Sequence, residues 1–144
     1  GTSSPQFMSP EGQRLWQDLK ETDACYWMNA CDPASPCGLG ITALSWSLPP
    51  RIPSNWLVFC GSRLMMLLQR DGRDLTIAAT PDDQSLPSLG GIFHEFVVRD
   101  FNPLNRAVVE SVNGTPAAES PFGPALASWG FRKSYKGFEL LRKF

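Results

Sequence analysis

Trp56-Leu57-Val58-Phe59-Cys60-Gly61-Ser62-Arg63-Leu64-Met65-Met66-Leu67-Leu68-Gln69-Arg70-Asp71-Gly72-Arg73-Asp74-Leu75-Thr76-Ile77-Ala78-Ala79-Thr80 is the stretch that decides the fold class. Its three apolar runs, 56–60, 64–69 and 75–80, are broken by Gly61-Ser62 and by Asp71-Gly72-Arg73. Runs of strand length separated by short glycine-containing turns read as a meander of antiparallel strands. Leu64 to Leu68 has no polar position, so this strand is expected to be buried on both faces or packed within a barrel.

On either side of this meander, Cys25 to Ala30 is expected to be a strand, as are Ala107 to Val112, which ends at the turn signal Asn113-Gly114, and Phe138 to Leu141. Ser9-Pro10-Glu11 has the cap, first-turn proline and acidic residue of a helix start. That helix is expected to run to about Glu21 with Leu15, Trp16 and Leu19 buried. Ile92, Phe93, Phe96 and Val97 make a helical face over 87–99, with His94 on the opposite side. A short helix is expected from a Ser120 cap through Ala125, Leu126 and Trp129 to a Gly130 stop. The sum is α+β, an antiparallel sheet or partial β-barrel with packed helices. One domain is expected over 9–144, after a disordered or cloning-derived tail at 1–8, where Gly1-Thr2-Ser3-Ser4 looks like a cloning scar.

At 144 residues a single apolar core is feasible. Five Trp and nine Phe exclude disorder for most of the chain. The longest apolar run, Leu64 to Leu68, is far short of the roughly 20 residues of a membrane span. With 13 basic against 14 acidic residues there is no global attraction to phosphate. The charge is uneven, however: from Gly130 onward Arg132, Lys133, Lys136, Arg142 and Lys143 face only Glu139. The opening residues lack the basic start and apolar stretch of a signal peptide, so a cytoplasmic setting is expected.

In such a setting Cys25, Cys31, Cys37 and Cys60 are expected to be free thiols, Cys25 and Cys60 acting as small hydrophobes. Their spacing lacks the C-x2–4-C knuckle of structural zinc, and the lone His94 lies far downstream, so no metal site is expected. There is no G-x4-G-K-[ST] phosphate loop. Gly38-Leu39-Gly40 lacks the third glycine of a dinucleotide fingerprint, and no Gly-x-Ser-x-Gly elbow is present. Asp82 and Asp83 sit among turn formers as a solvated pair. An independent hydrolase is not expected.

Ala30-Cys31-Asp32-Pro33-Ala34-Ser35-Pro36-Cys37-Gly38, followed by Ala43-Leu44-Ser45-Trp46, resembles the A-x-DPANPYG…ALPWP signature near the C-terminus of large helicase-related (Lhr-type) superfamily 2 helicases. The resemblance continues through Gly61 to Leu75, Val109-Glu110-Ser111-Val112-Asn113-Gly114, Ser120-Pro121, Ala125-Leu126, Gly130-Phe131 and Gly137-Phe138-Glu139-Leu140-Leu141-Arg142. In order and spacing these motifs cover roughly Cys25 to Arg142. Cys37 stands where the family usually has Tyr, and Ser45 where it usually has Pro. The resemblance implies a non-motor tail domain of a DNA-repair helicase. Its motor domains would lie upstream and hold ATP and Mg, with no cofactor in this segment. The implied partners are DNA, single-stranded above all, and the upstream domains of the same protein. Some long members of the family are linked to uracil excision, which makes a base-excision domain the alternative; a third reading is a module that only docks on its own upstream domains.

Individual residues carry two readings each. Asp32 is either the side-chain cap of an Asx turn or the carboxylate of the base-excision reading. Trp46 either stacks on a base or lies under Pro49-Pro50. Arg70 and Arg73 flank a hairpin turn as solvated cations or as phosphate contacts. Arg132, Lys133 and Lys136, with Tyr135, are expected in one turn between a helix end and the last strand. There they either guard a strand edge or meet the sugar-phosphate backbone.

Overall fold

Every residue from Leu64 to Leu68 is buried. Their strand has apolar layers on both sides, which accounts for a run with no polar position. The computed structural model describes residues 8–20, 22–40, 46–100 and 103–142. In chain order the elements are α1 (Pro10–Asp18), β1 (Cys25–Asn29), β2 (Trp56–Cys60), β3 (Arg63–Gln69), β4 (Asp74–Ile77), α2 (Leu86–Leu89) and α3 (Gly91–Val98). There follow β5 (Arg106–Val109), β6 (Ser111–Val112), β7 (Thr115–Pro116), α4 (Gly123–Ser128), β8 (Arg132–Ser134) and β9 (Gly137–Leu141).

The expected meander β2-β3-β4 is present and antiparallel. It is the centre of a six-stranded sheet in the order β1-β2-β3-β4-β6-β7, and a second sheet has the order β5-β9-β8. The class is α+β, but the sheet is not closed into a barrel. It is not purely antiparallel either, because β6 runs parallel to β4. The reason lies at β4, which ends at Ile77 before Pro81 leads the chain into the helices. The two-residue strands β6 and β7 that continue the sheet are too short to curl round to β1. The Asn113 side chain lengthens this weak pairing: its Oδ1 accepts the Ile77 N–H at 2.7 Å and its Nδ2 donates to the Ile77 carbonyl at 3.1 Å.

One face of the large sheet packs Val58, Met66, Leu68, Leu75 and Ile77 against Ile92, Phe93, Phe96 and Val97 of α3 and against Ala107, Val109, Leu126 and Phe138. The helical face expected over 87–99 is therefore the buried one, within a shorter helix, and His94 is exposed. The other face packs Leu57, Leu64 and Leu67 against Ala30 and Cys37, with Met28, Trp46, Leu48 and Phe59 at the margin.

Three further expectations are corrected. Cys25 and Cys60 form a disulfide between β1 and β2. Their register makes them direct partners. The Gly61 N–H donates to the Ala24 carbonyl at 3.0 Å, so the neighbouring rung is the hydrogen-bonded one and the cysteines occupy the closer pair. Only Cys31 and Cys37 are free thiols, and thiol usage no longer points to a reducing compartment. Second, α1 ends at Asp18 and buries none of its residues; Leu15, Trp16 and Leu19 are 65%, 68% and 71% exposed. Its Ser9 cap is real, accepting the Gly12 N–H at 3.0 Å. Third, Ser120 does not cap α4 but accepts the Phe122 N–H at 3.3 Å, and the helix begins at Gly123-Pro124. The expected Gly130 stop holds, at φ 90°. The tail at 1–7, Glu21 and the Ala43-Leu44-Ser45 part of the motif lie outside the described residues. Among the described residues, no helix is long and apolar enough to cross a membrane.

Candidate nucleic-acid interface

The turn between β3 and β4 holds Arg70, Asp71 and Gly72 in the left-handed region, at φ 53°, 56° and 87°. Gly72 is required there: a Cβ would sit 2.7 Å from the Phe93 ring. Asp71 N–H donates to the Ser54 carbonyl at 2.8 Å, which anchors the turn from below. The Arg73 carbonyl accepts from Glu110 N–H at 2.7 Å and Ser111 N–H at 3.1 Å. The β5–β6 junction is thereby fastened to this turn, and Glu110 is placed beside its two arginines.

An ion-pair network results. The Arg70 guanidinium bonds both Asp74 oxygens, one at 2.9 Å from Nη2, and its Nη2 also reaches Glu110 Oε2 at 3.0 Å. Ser111 donates to Asp74 Oδ1 at 2.7 Å. The Arg70 hydrogen bond, joined by that of Ser111, holds the Asp74 carboxyl below its usual pKa, and Asp74 raises that of Arg70. Arg73 is held more loosely, with a single contact to Glu110 Oε1 at 3.4 Å.

Arg73 opens onto a cleft of about 140 Å³ lined by Asp71, Leu104, Arg106, Val108, Glu110 and Lys136 as well. Arg106, Val108 and Glu110 lie at alternate positions and share one face of β5 and its continuation. Lys136 comes from the opposite direction, on the turn between β8 and β9. That turn is pressed close by Gly137, whose φ is 128° and whose Cβ position would collide with the Val109 carbonyl. The Arg106 guanidinium and the Lys136 ammonium make no ion pair among the described residues.

The expected site residues are thus partly assembled and partly separated. Arg73 and Lys136, distant in sequence, line the same cleft. Arg70 is adjacent but bound up with Asp74 and Glu110. The single turn expected to carry Arg132, Lys133 and Lys136 does not exist: Arg132 and Lys133 lie on β8 and only Tyr135 and Lys136 form the turn. Arg132 opposes Glu139 and Lys133 opposes Phe138, so the two point to opposite faces. Arg132 borders a separate cleft with Phe131, Glu139 and Leu141.

Trp46 is half-buried against the Leu57–Leu64 cluster rather than open to a base. Asp32 is an Asx cap: its Oδ1 accepts the Ala34 N–H at 2.8 Å, while its carbonyl accepts from Ser35 N–H and from Arg51 Nη2 at 3.2 Å. Arg106 was missed in sequence because a lone arginine at a strand start carries no motif. Its alternation with Val108 and Glu110 was the available signal. Among the described residues, no group of His, Cys, Asp and Glu is placed to hold a metal ion.

Comparison of the sequence with protein-family models gives no match, and comparison with curated proteins gives none either.

Proposed function

We propose that this chain is a non-motor, nucleic-acid-associated domain of an Lhr-type DNA helicase, which holds single-stranded DNA by its backbone and performs no catalysis of its own. The observation that carries this reading is the convergence of Arg73, Arg106 and Lys136, from three separate segments, on one cleft, with two of the three cations lacking an ion-pair partner among the described residues. Unpaired cations brought to one cleft by three segments suit phosphate, and such contacts act on any sequence because they do not read bases. The ordered motif resemblance from Cys25 to Arg142 supports the helicase assignment. In this reading ATP and Mg belong to upstream motor domains. The base-excision alternative gains no support from Asp32, whose Oδ1 caps the Ala34 N–H of its own loop.

The test is fluorescence anisotropy with labelled oligo(dT). Binding that weakens steeply from 50 to 200 mM salt, with no phosphate release from ATP, is expected; DNA-stimulated ATP hydrolysis by the pure chain would refute the non-motor assignment.

A second reading, docking on another domain of the same parent protein, has its own support in α1. Its apolar side chains Leu15, Trp16 and Leu19 are exposed, and an isolated helix of nine residues is marginal in water. Association through that face would be insensitive to salt.

A further inference from the structure

Glu110 occupies an unusual position in the cleft. Among the described residues it is the carboxylate bonded to Arg73, and it is simultaneously bonded to Arg70 at the shorter distance of 3.0 Å against 3.4 Å. Arg70 is itself fixed by Asp74, which Ser111 holds in turn. Loss of the Arg73 contact would therefore leave Glu110 still paired with Arg70. The cleft is small, about 140 Å³, and three cations, Arg73, Arg106 and Lys136, line it against two carboxylates, Asp71 and Glu110.

We propose that Arg73, Arg106 and Lys136 form a site for one phosphate monoester at the end of a nucleic-acid strand, and that Glu110 is the internal anion which this phosphate displaces from Arg73. The proposal rests on the nucleic-acid reading above and adds a ligand class to it. Its basis is a difference in charge. An internal phosphodiester carries one negative charge, the same as Glu110, and gains little by exchanging with it. A terminal phosphate carries about 1.5 to 2 negative charges at pH 7 and three acceptor oxygens, enough to engage all three cations at once. Glu110 thus competes with an internal phosphate for Arg73 alone, leaving Arg106 and Lys136 to hold backbone, while a terminal phosphate gains the third cation as well.

The experiment compares oligo(dT) of one length with a 5′-hydroxyl, a 5′-phosphate or a 3′-phosphate, at fixed ionic strength, with inorganic phosphate as competitor. The end-phosphorylated strands are expected to bind about fivefold more tightly than the hydroxyl strand, the gain of one exposed charge interaction. Millimolar inorganic phosphate should remove that difference. Arg106→Ala and Lys136→Ala should each reduce it. Glu110→Gln should strengthen binding of the hydroxyl strand and narrow the gap, its fold checked by thermal melting. Because the wild-type comparison needs no variant, a misfolded E110Q would not spare the proposal. Equal affinity for hydroxyl and phosphate strands, with salt-dependent binding intact, overturns the end-phosphate site and leaves the nucleic-acid reading standing. Binding of inorganic phosphate without any preference among the strands overturns the assignment to a strand end. Absence of binding by every strand overturns both.

Discussion

In the loop at 30–38, polar groups are turned inward on their own segment. Asp32 caps the Ala34 N–H, Asn29 Oδ1 accepts the Cys31 N–H at 2.9 Å, and Arg51 donates to the Cys31 and Asp32 carbonyls. Beneath them Ala30 and Cys37 are wholly buried on Leu57. At the cleft beside Arg73 the backbone is tied by Asp71 N–H to the Ser54 carbonyl and by Glu110 N–H to the Arg73 carbonyl, yet Arg106 and Lys136 have no ion-pair partner among the described residues. The first region is the more recognisable in sequence and is occupied with packing. The second has no compact motif, and in the proposed reading its two unpaired cations are left for phosphate. A recognisable signature can therefore mark how a chain folds, and a candidate site can lie where no signature stands.

The largest losses of stability are expected on the loop side. Leu57→Ala removes the floor under Ala30 and Cys37 and is expected to cost about 2–5 kcal/mol by urea denaturation, with DNA affinity unchanged once the protein is folded. Replacing Cys25 and Cys60 together by Ala unties β1 from β2, which are cross-linked over a sequence separation of 35. A loss of about 2–4 kcal/mol is expected, reproduced in the wild type by reductant and again without effect on the cleft. Asp32→Ala should cost about 1 kcal/mol, the usual value of a side-chain cap, and leave strand binding untouched; a collapse in binding would move the working surface to the loop.

On the cleft side the effects on stability are smaller. Asp74 has its folded-state pKa depressed by Arg70 and Ser111, so its contribution is complete above the unfolded carboxyl value of about 4 and is lost as pH falls through the lower folded value. The wild-type melting temperature should therefore fall more steeply than that of Asp74→Asn below about pH 4. Arg106→Ala with Lys136→Ala should change stability least, by less than about 0.5 kcal/mol.

Much of the framework was legible in the sequence. The runs at 56–60 and 64–69 and the face Ile92, Phe93, Phe96, Val97 report burial through periodicity, and burial is what the fold rewards. What was hidden depends on pairing. The disulfide needs the register that sets Cys25 opposite Cys60, and a composition argument about compartment cannot supply it. The parallel β4–β6 contact rests on a two-residue strand and on the Asn113 side chain, which reads first as a turn former. The spacing of Leu15, Trp16 and Leu19 identifies an apolar helix face but says nothing about what covers it. At the site, Arg73 and Lys136 were legible as cations beside turns, while their meeting with Arg106 exists only once β5 is placed between those turns.

The most direct test of the cleft is the dependence of log Kobs on log salt for single-stranded DNA, measured for the wild type and for the R106A/K136A double variant. Two lost phosphate contacts should flatten the slope by about 1.4, at roughly 0.7 per contact on a single strand, with affinity falling uniformly across sequences. An unchanged slope and affinity in the folded variant would contradict the account.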